Sequence, residues 1–299
     1  MVNLCAICYN VSKPIFRRKG AIRLGIWEYI KAALLGIVQG ITEWLPISST
    51  GHMILLDEFI QMKVTEQFKE LFLVVVQLGS ILAVVVLYWK QLWPLTRSHG
   101  QVKFRKKTMI MWGKILISCV PAAIVGVLLD DYLNKLFYNW TTVAIMLILF
   151  GVLFIVAERI NRNKTPRCTS IDTLTCRDAL LIGVFQLIAA VFPGTSRSGA
   201  TIVGALMIGI GRTTAAEYTF YLAVPVMFGA SLLKLLKFGM AFTGAELVIL
   251  LIGMVTAFVV SVLVIRFLMR YIKKHDFTVF GWYRIILGLL VILYFTLIR

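Results

Sequence analysis

Two short stretches of the chain carry residue types and spacings suited to chemistry. The first begins with Gln39 and Glu43, one helical turn apart, and continues through Pro46, Ser48, Ser49 and Thr50 to His52. The second runs from Pro193 through Ser196, Arg197 and Ser198 to Thr201. Between them they hold a carboxylate, an imidazole, a guanidinium and a cluster of hydroxyls. A guanidinium offers a planar fork that matches phosphate oxygens, and neighbouring hydroxyls add donors. Ser198 is placed to cap a following helix, so N–H groups near 199–201 would join Arg197 in an anion site. In the first stretch, His52 follows Ser49 by three residues and is placed to take its proton, with Glu43 as the orienting carboxylate. Gln39, Ser48, Thr50, Ser196, Ser198 and Thr201 read as binding groups around Glu43, Ser49, His52 and Arg197. Some of the hydroxyls in such a set do no more than satisfy loose backbone.

The elements that must position these residues are membrane helices. The chain has 299 residues, 60% hydrophobic and 15% charged, with a mean hydropathy of +0.88. Soluble domains are about half apolar and a quarter charged, so a water-soluble globule is excluded. Six segments, 71–89, 110–129, 141–157, 216–233, 247–265 and 282–298, approach the length of a spanning helix. Residues 30–45 break at Leu45–Pro46 and resume over 51–61; residues 178–192 break at Phe192–Pro193 and resume over 199–211. Arms this short read as re-entrant hairpins. The expected fold is an all-α integral membrane protein of six transmembrane helices and two re-entrant helix–loop–helix hairpins.

Thirty-one basic residues against 14 acidic ones give a net charge of +17. Most lie in the gaps between apolar runs, as the positive-inside rule expects, and nucleic acid is excluded as a partner on that ground. Loops 90–109, 158–177 and 266–281 hold 6, 5 and 4 Lys or Arg, whereas 130–140 and 234–246 together hold 3. The first set is therefore assigned to the cytoplasm, which places both termini outside. Residues 1–26 form a basic extension that runs against this bias, with 27–299 a single membrane domain. Cys5 and Cys8 have redox spacing but no strand–helix context, and all five cysteines read as incidental thiols. Arg284 lies near the start of the last span and is expected to snorkel.

Sliding the chain by 147 residues aligns the two broken regions, with seven identities in the eighteen positions 32–49, among them Gln39 on Gln186 and Ser49 on Ser196. Because the hairpins enter from opposite sides, the repeat (about 27–157 and 174–299) is inverted. Such repeats place a polar site near the bilayer midplane, where the breaks meet. Simple proline kinks would not require a carboxylate, an imidazole and a guanidinium there, each costly in lipid.

Gln39–His52 and Pro193–Thr201 resemble the two signature motifs of the bacterial undecaprenyl-diphosphate phosphatases of the bacitracin-resistance type. The resemblance runs from about residue 27 and includes Gln77-Leu-Gly-Ser-Ile-Leu-Ala83. It implies hydrolysis of undecaprenyl diphosphate to the monophosphate lipid carrier of peptidoglycan synthesis, and with it bacitracin resistance. It also implies a place in the bacterial cell (inner) membrane with the site opening outward. On the matching positions it implies functional roles for Gln39, Glu43, Ser48, Ser49, His52 and Arg197 between Ser196 and Ser198. A divalent cation, Mg²⁺ or Ca²⁺, is implied as well. With Gln at 39, Glu43 is the carboxylate left to touch it, and the diphosphate itself would hold the rest. The partners are then the polyprenyl diphosphate and the bilayer, with a homodimer left open. Whether Ser49 is the nucleophile or His52 activates water also stays open. The competing class is a carrier, which would use Arg197 as a counter-charge but has no need of a base beside a hydroxyl. The phosphatidic-acid type of lipid phosphatase does not fit, because its Lys/Arg-Pro element and its final His…Asp pair are missing.

Overall fold

The structure, a computed structural model, describes residues 25–98, 101–239 and 242–297. Nearly all of the basic extension, with Cys5 and Cys8, lies outside them. Among the described residues eleven α-helices follow one another: α1 (Ile26–Thr42), α2 (Ser49–Phe59), α3 (Glu66–Leu87), α4 (Trp89–Leu92), α5 (Lys106–Phe137), α6 (Trp140–Asn161), α7 (Cys176–Val191), α8 (Arg197–Met207), α9 (Arg212–Phe238), α10 (Gly244–Tyr271) and α11 (Thr278–Leu297). Six are long and apolar enough to cross a membrane: α3, α5 over Lys106–Gly126, α6, α9, α10 and α11. They coincide with the six segments expected. The protein is a multi-pass membrane protein.

Helix starts follow local capping chemistry. Thr65 accepts the Phe68 N–H at the head of α3, and Asn139 accepts that of Thr142 at the head of α6. Thr175 with Asp178, and Thr243 with Glu246, close capping boxes on α7 and α10. One expectation of an all-helical chain is modified. Loop 90–109 contains a two-stranded antiparallel hairpin, β1 (Leu95–Ser98) with β2 (Gln101–Phe104), in register Leu95 to Phe104.

The surface carries large apolar side chains, such as Leu116, Val255, Leu263 and Leu290, at 53–61% exposure. Polar residues such as Ser118, Thr219, Ser231 and Ser261 are fully buried. This distribution suits a lipid solvent: the apolar faces meet hydrocarbon, and hydroxyls find partners inside. The principal helix pairs are α1 with α10, α7 with α5, α3 with α9 and α10, and α6 with α11. Small residues let backbones approach. A Cβ on Gly36 would stand 2.6 Å from the Gly253 carbonyl oxygen of α10, and one on Gly183 would stand 2.6 Å from the Ser118 carbonyl oxygen of α5.

Both interrupted regions fold as two helices around a break. The first break spans 43–48, between α1 and α2, and opens at Glu43 rather than at Leu45, because the chain tightens into turns ahead of Pro46. The second spans 192–196, between α7 and α8.

Candidate active site

Ser48 and Ser196 are the only non-glycine residues with positive φ among those described, at 75° and 68°. Such a conformation is costly for a side-chain-bearing residue and persists where surroundings over-determine it. Each serine is the N-cap of the arm that follows. Ser48 Oγ accepts the Gly51 N–H, and Ser196 Oγ accepts the Gly199 N–H, both at 3.2 Å. The helix cap at the second break is thus Ser196, not Ser198. The N–H groups of Gly199 and Ala200 are consumed by Ser196. The first two N–H groups of α8, those of Arg197 and Ser198, precede the helical ladder. The caps also revise the repeat. From Pro193 to its cap the chain runs one residue further than from Pro46, so beyond the prolines Ser48, not Ser49, corresponds to Ser196.

The breaks meet at Glu43, which is 7% exposed. Its Oε1 accepts from Arg197 Nη2 at 2.8 Å. Its Oε2 accepts from Gln39 Nε2 at 2.9 Å and from Ser49 Oγ at 3.1 Å. Its backbone carbonyl accepts from Ser198 Oγ at 3.0 Å. Arg197 also donates to the Thr219 carbonyl of α9 at 3.3 Å. Thr201 lies a turn further on and is fully buried. Its hydroxyl bonds the Arg197 carbonyl at 2.9 Å and pairs with the Thr219 hydroxyl at 2.9 Å. Ser196 and Ser198 hydroxyls lie 3.1 Å apart. Thr50 sits in the first turn of α2 and is half-buried.

His52 is placed differently from expectation. Its Nδ1 lies 2.7 Å from the Ser48 carbonyl oxygen, and its Nε2 lies 2.7 Å from the Tyr283 hydroxyl. A carbonyl can only accept, so Nδ1 carries the proton and the Tyr283 hydroxyl donates to Nε2. Ser49 turns instead to Glu43, so the carboxylate rather than the imidazole stands ready for its proton. An acceptor six residues back across the break outcompetes contact with a ring that faces Tyr283.

Arg284 is also placed against expectation. It does not snorkel but is fully buried, with its fork donating to the carbonyls of Pro46 (3.3 Å), Gly194 (3.0 Å), Thr195 (2.8 Å) and Met146 (3.4 Å). The sequence signal that was available is the break itself: carbonyls freed from a helical ladder inside a membrane protein need a donor.

Among the described residues, no group of three or more His, Cys, Asp or Glu is placed to hold a metal ion. Glu43 and the Gln39 amide, with the hydroxyls around them, are the oxygen donors at the junction.

Fold and site together define a multi-pass membrane protein in which one buried carboxylate joins a hydroxyl and a guanidinium across two broken helical regions. The sequence profile of the bacitracin resistance protein BacA family matches residues 32–290, and the chain belongs to that family. It is 63% identical to the undecaprenyl-diphosphatase of Desulfitobacterium hafniense over 91% of this chain and 98% of the relative. It is 64% identical to undecaprenyl-diphosphatase 1 of Clostridium acetobutylicum, with the same coverage of both. An undecaprenyl-diphosphatase of Enterococcus faecalis is 58% identical over 89% of this chain and 96% of its own length.

Proposed function

We infer that the chain removes the terminal phosphate of undecaprenyl diphosphate, and that it does so where the two breaks meet. Membership of the family and the names of relatives at 58–64% identity support the reaction. The observation that carries the placement is Glu43, one carboxylate joining Ser49 of the first break to Arg197 of the second.

In the resting site Arg197 and Glu43 neutralise one another. A diphosphate entering the junction competes with Glu43 for the guanidinium and for the N–H groups that open α8. Glu43 is then released from Arg197 while it keeps Ser49. The serine attacks the terminal phosphorus as its proton passes to Glu43. The anhydride bond breaks, and the lipid leaves as the monophosphate. Water then cleaves the phosphoseryl bond, giving inorganic phosphate: His52 Nε2, its lone pair released by the Tyr283 hydroxyl, takes the proton of the water, and Glu43 returns its own to the serine oxygen. Arg197, Ser196 and Ser198 stabilise the charge that develops on the phosphoryl oxygens.

A divalent cation fits this site as a companion of the substrate. Glu43 would hold it together with diphosphate oxygens, and it would screen their charge. The basic loops 90–109, 158–177 and 266–281 support a cytoplasmic face there, with the site opening to the opposite side of the cell membrane. The pairings α1 with α10 and α7 with α5 exchange when the first five long or broken-region helices are matched to the last five, which supports an inverted repeat.

The experiment is phosphate release from undecaprenyl diphosphate by purified protein in detergent, with and without Mg²⁺ or Ca²⁺, beside Arg197→Ala. Cation-stimulated release that falls by more than about 100-fold in the variant is expected. Binding without release from a folded preparation would favour a carrier. Full release by the variant would move the site elsewhere.

A further inference from the structure

Outside the two breaks, the strongest cluster of unused polar groups is at the start of α11. Arg284 is 0% exposed and has no carboxylate partner among the described residues, so its charge is compensated by carbonyl dipoles alone. An ionised arginine in this setting is expensive, and a helix needs none to pack. Its acceptors are not arbitrary. The Pro46 carbonyl belongs to the first break, the Gly194 and Thr195 carbonyls to the second, and the Met146 carbonyl to α6 behind them. The guanidinium also stands 5.9 Å from the centre of the Phe150 ring, which holds it from one side. The fork thus spans the two chain segments whose separation sets the distance between Glu43 and Arg197. The adjoining residue, Tyr283, fixes His52 through the hydroxyl-to-Nε2 bond at 2.7 Å, with the two rings nearly parallel at 4°.

We propose that Tyr283 and Arg284 are positioning residues for the reaction: Arg284 clamps the two breaks at their working separation, and Tyr283 sets the ring of His52. This rests on the placement of the reaction at the breaks. Neither residue touches the reacting groups. Each acts through residues that do. Displacing a reacting group by about 1 Å costs on the order of 100-fold in rate, so the loss belongs in kcat rather than in KM. A lysine at 284 keeps the charge but is a point donor that cannot serve both breaks at once.

The test measures kcat and KM for undecaprenyl diphosphate, with thermal unfolding in the same detergent, for Arg284→Lys, Tyr283→Phe and Arg197→Ala. Expected for Arg284→Lys is a kcat lowered by about 100-fold with KM near wild type and a cooperative unfolding transition retained. Tyr283→Phe, which keeps the ring, should lower kcat by about tenfold at unchanged melting temperature. A folded Arg284→Lys with wild-type kcat would overturn the clamp, and an unchanged kcat in Tyr283→Phe would overturn the second assignment. Should Arg284→Lys fail to fold, Arg284→Gln decides, because an uncharged amide removes the buried charge and is too short to donate to both breaks. Lowered kcat there supports the clamp, and unchanged kcat overturns it. If Arg197→Ala keeps full activity, the placement of the site fails instead.

Discussion

At the first break Ser48 turns the chain at φ 75° and caps α2 through Gly51; at the second Ser196 turns it at φ 68° and caps α8 through Gly199. Each break ends an arm whose glutamine, Gln39 or Gln186, points into the protein interior. From there the two diverge. Gln39 bonds Glu43, whereas Gln186 bonds the Ser118 carbonyl, and the position matching Glu43 in the second region is Ala190. The first break therefore holds the carboxylate, the Ser49 hydroxyl and the imidazole, and the second holds the guanidinium and the N–H groups that open α8. On the proposed placement, a shared backbone device carries two complementary halves of one reaction. Neither half suffices alone, since a hydroxyl without a charge clamp and a clamp without a nucleophile both leave the barrier high.

That division of labour is open to direct attack. The largest effect is expected from Glu43→Gln, which keeps the shape of the hub but removes its base: kcat for phosphate release should fall by about 1,000-fold, within the range for acid–base groups. Ser49→Ala should match it. A variant that retained turnover within tenfold would assign the attack to water instead. Arg197→Lys attacks the other half. Losing the fork should raise KM and lower kcat together, by more than about 100-fold in kcat/KM. Identical kinetic signatures in Glu43→Gln and Arg197→Lys would break the comparison.

His52→Ala is expected to lose more than about 100-fold in turnover. Near-normal turnover would reduce the imidazole to a cap on the Ser48 carbonyl. The backbone device is tested by melting curves. Glycine accepts positive φ, so Ser48→Gly and Ser196→Gly should cost only a few tenths of a kcal/mol each, and the alanine variants about 1 kcal/mol or more. The smallest effect on turnover is expected from Thr201→Val. Thr201 bonds the Arg197 carbonyl and Thr219 rather than facing the junction. A loss as large as that of Arg197→Lys would enlarge the site.

Much of this protein was legible in its residues. Six spans and two interrupted regions follow from run length, because a bilayer demands uninterrupted apolar helices and Pro46 and Pro193 interrupt two of them. Glu43, Ser49, His52 and Arg197 stand out because charged and reactive groups are rare in such runs. What the tertiary structure decided is who partners whom. Spacing pointed Ser49 to His52, and the turn that opens at Glu43 gave it the carboxylate instead. Spacing pointed to Ser198 as the cap, and the fold put it at Ser196, whose Oγ takes the Gly199 N–H. Arg284 gave no local sign of its place, because the carbonyls that hold it come from residues 46, 146, 194 and 195, and only folding brings their dipoles to one point. Composition and period report the solvent a helix must face, whereas hydrogen-bond partners across the bundle depend on distances that no linear spacing contains.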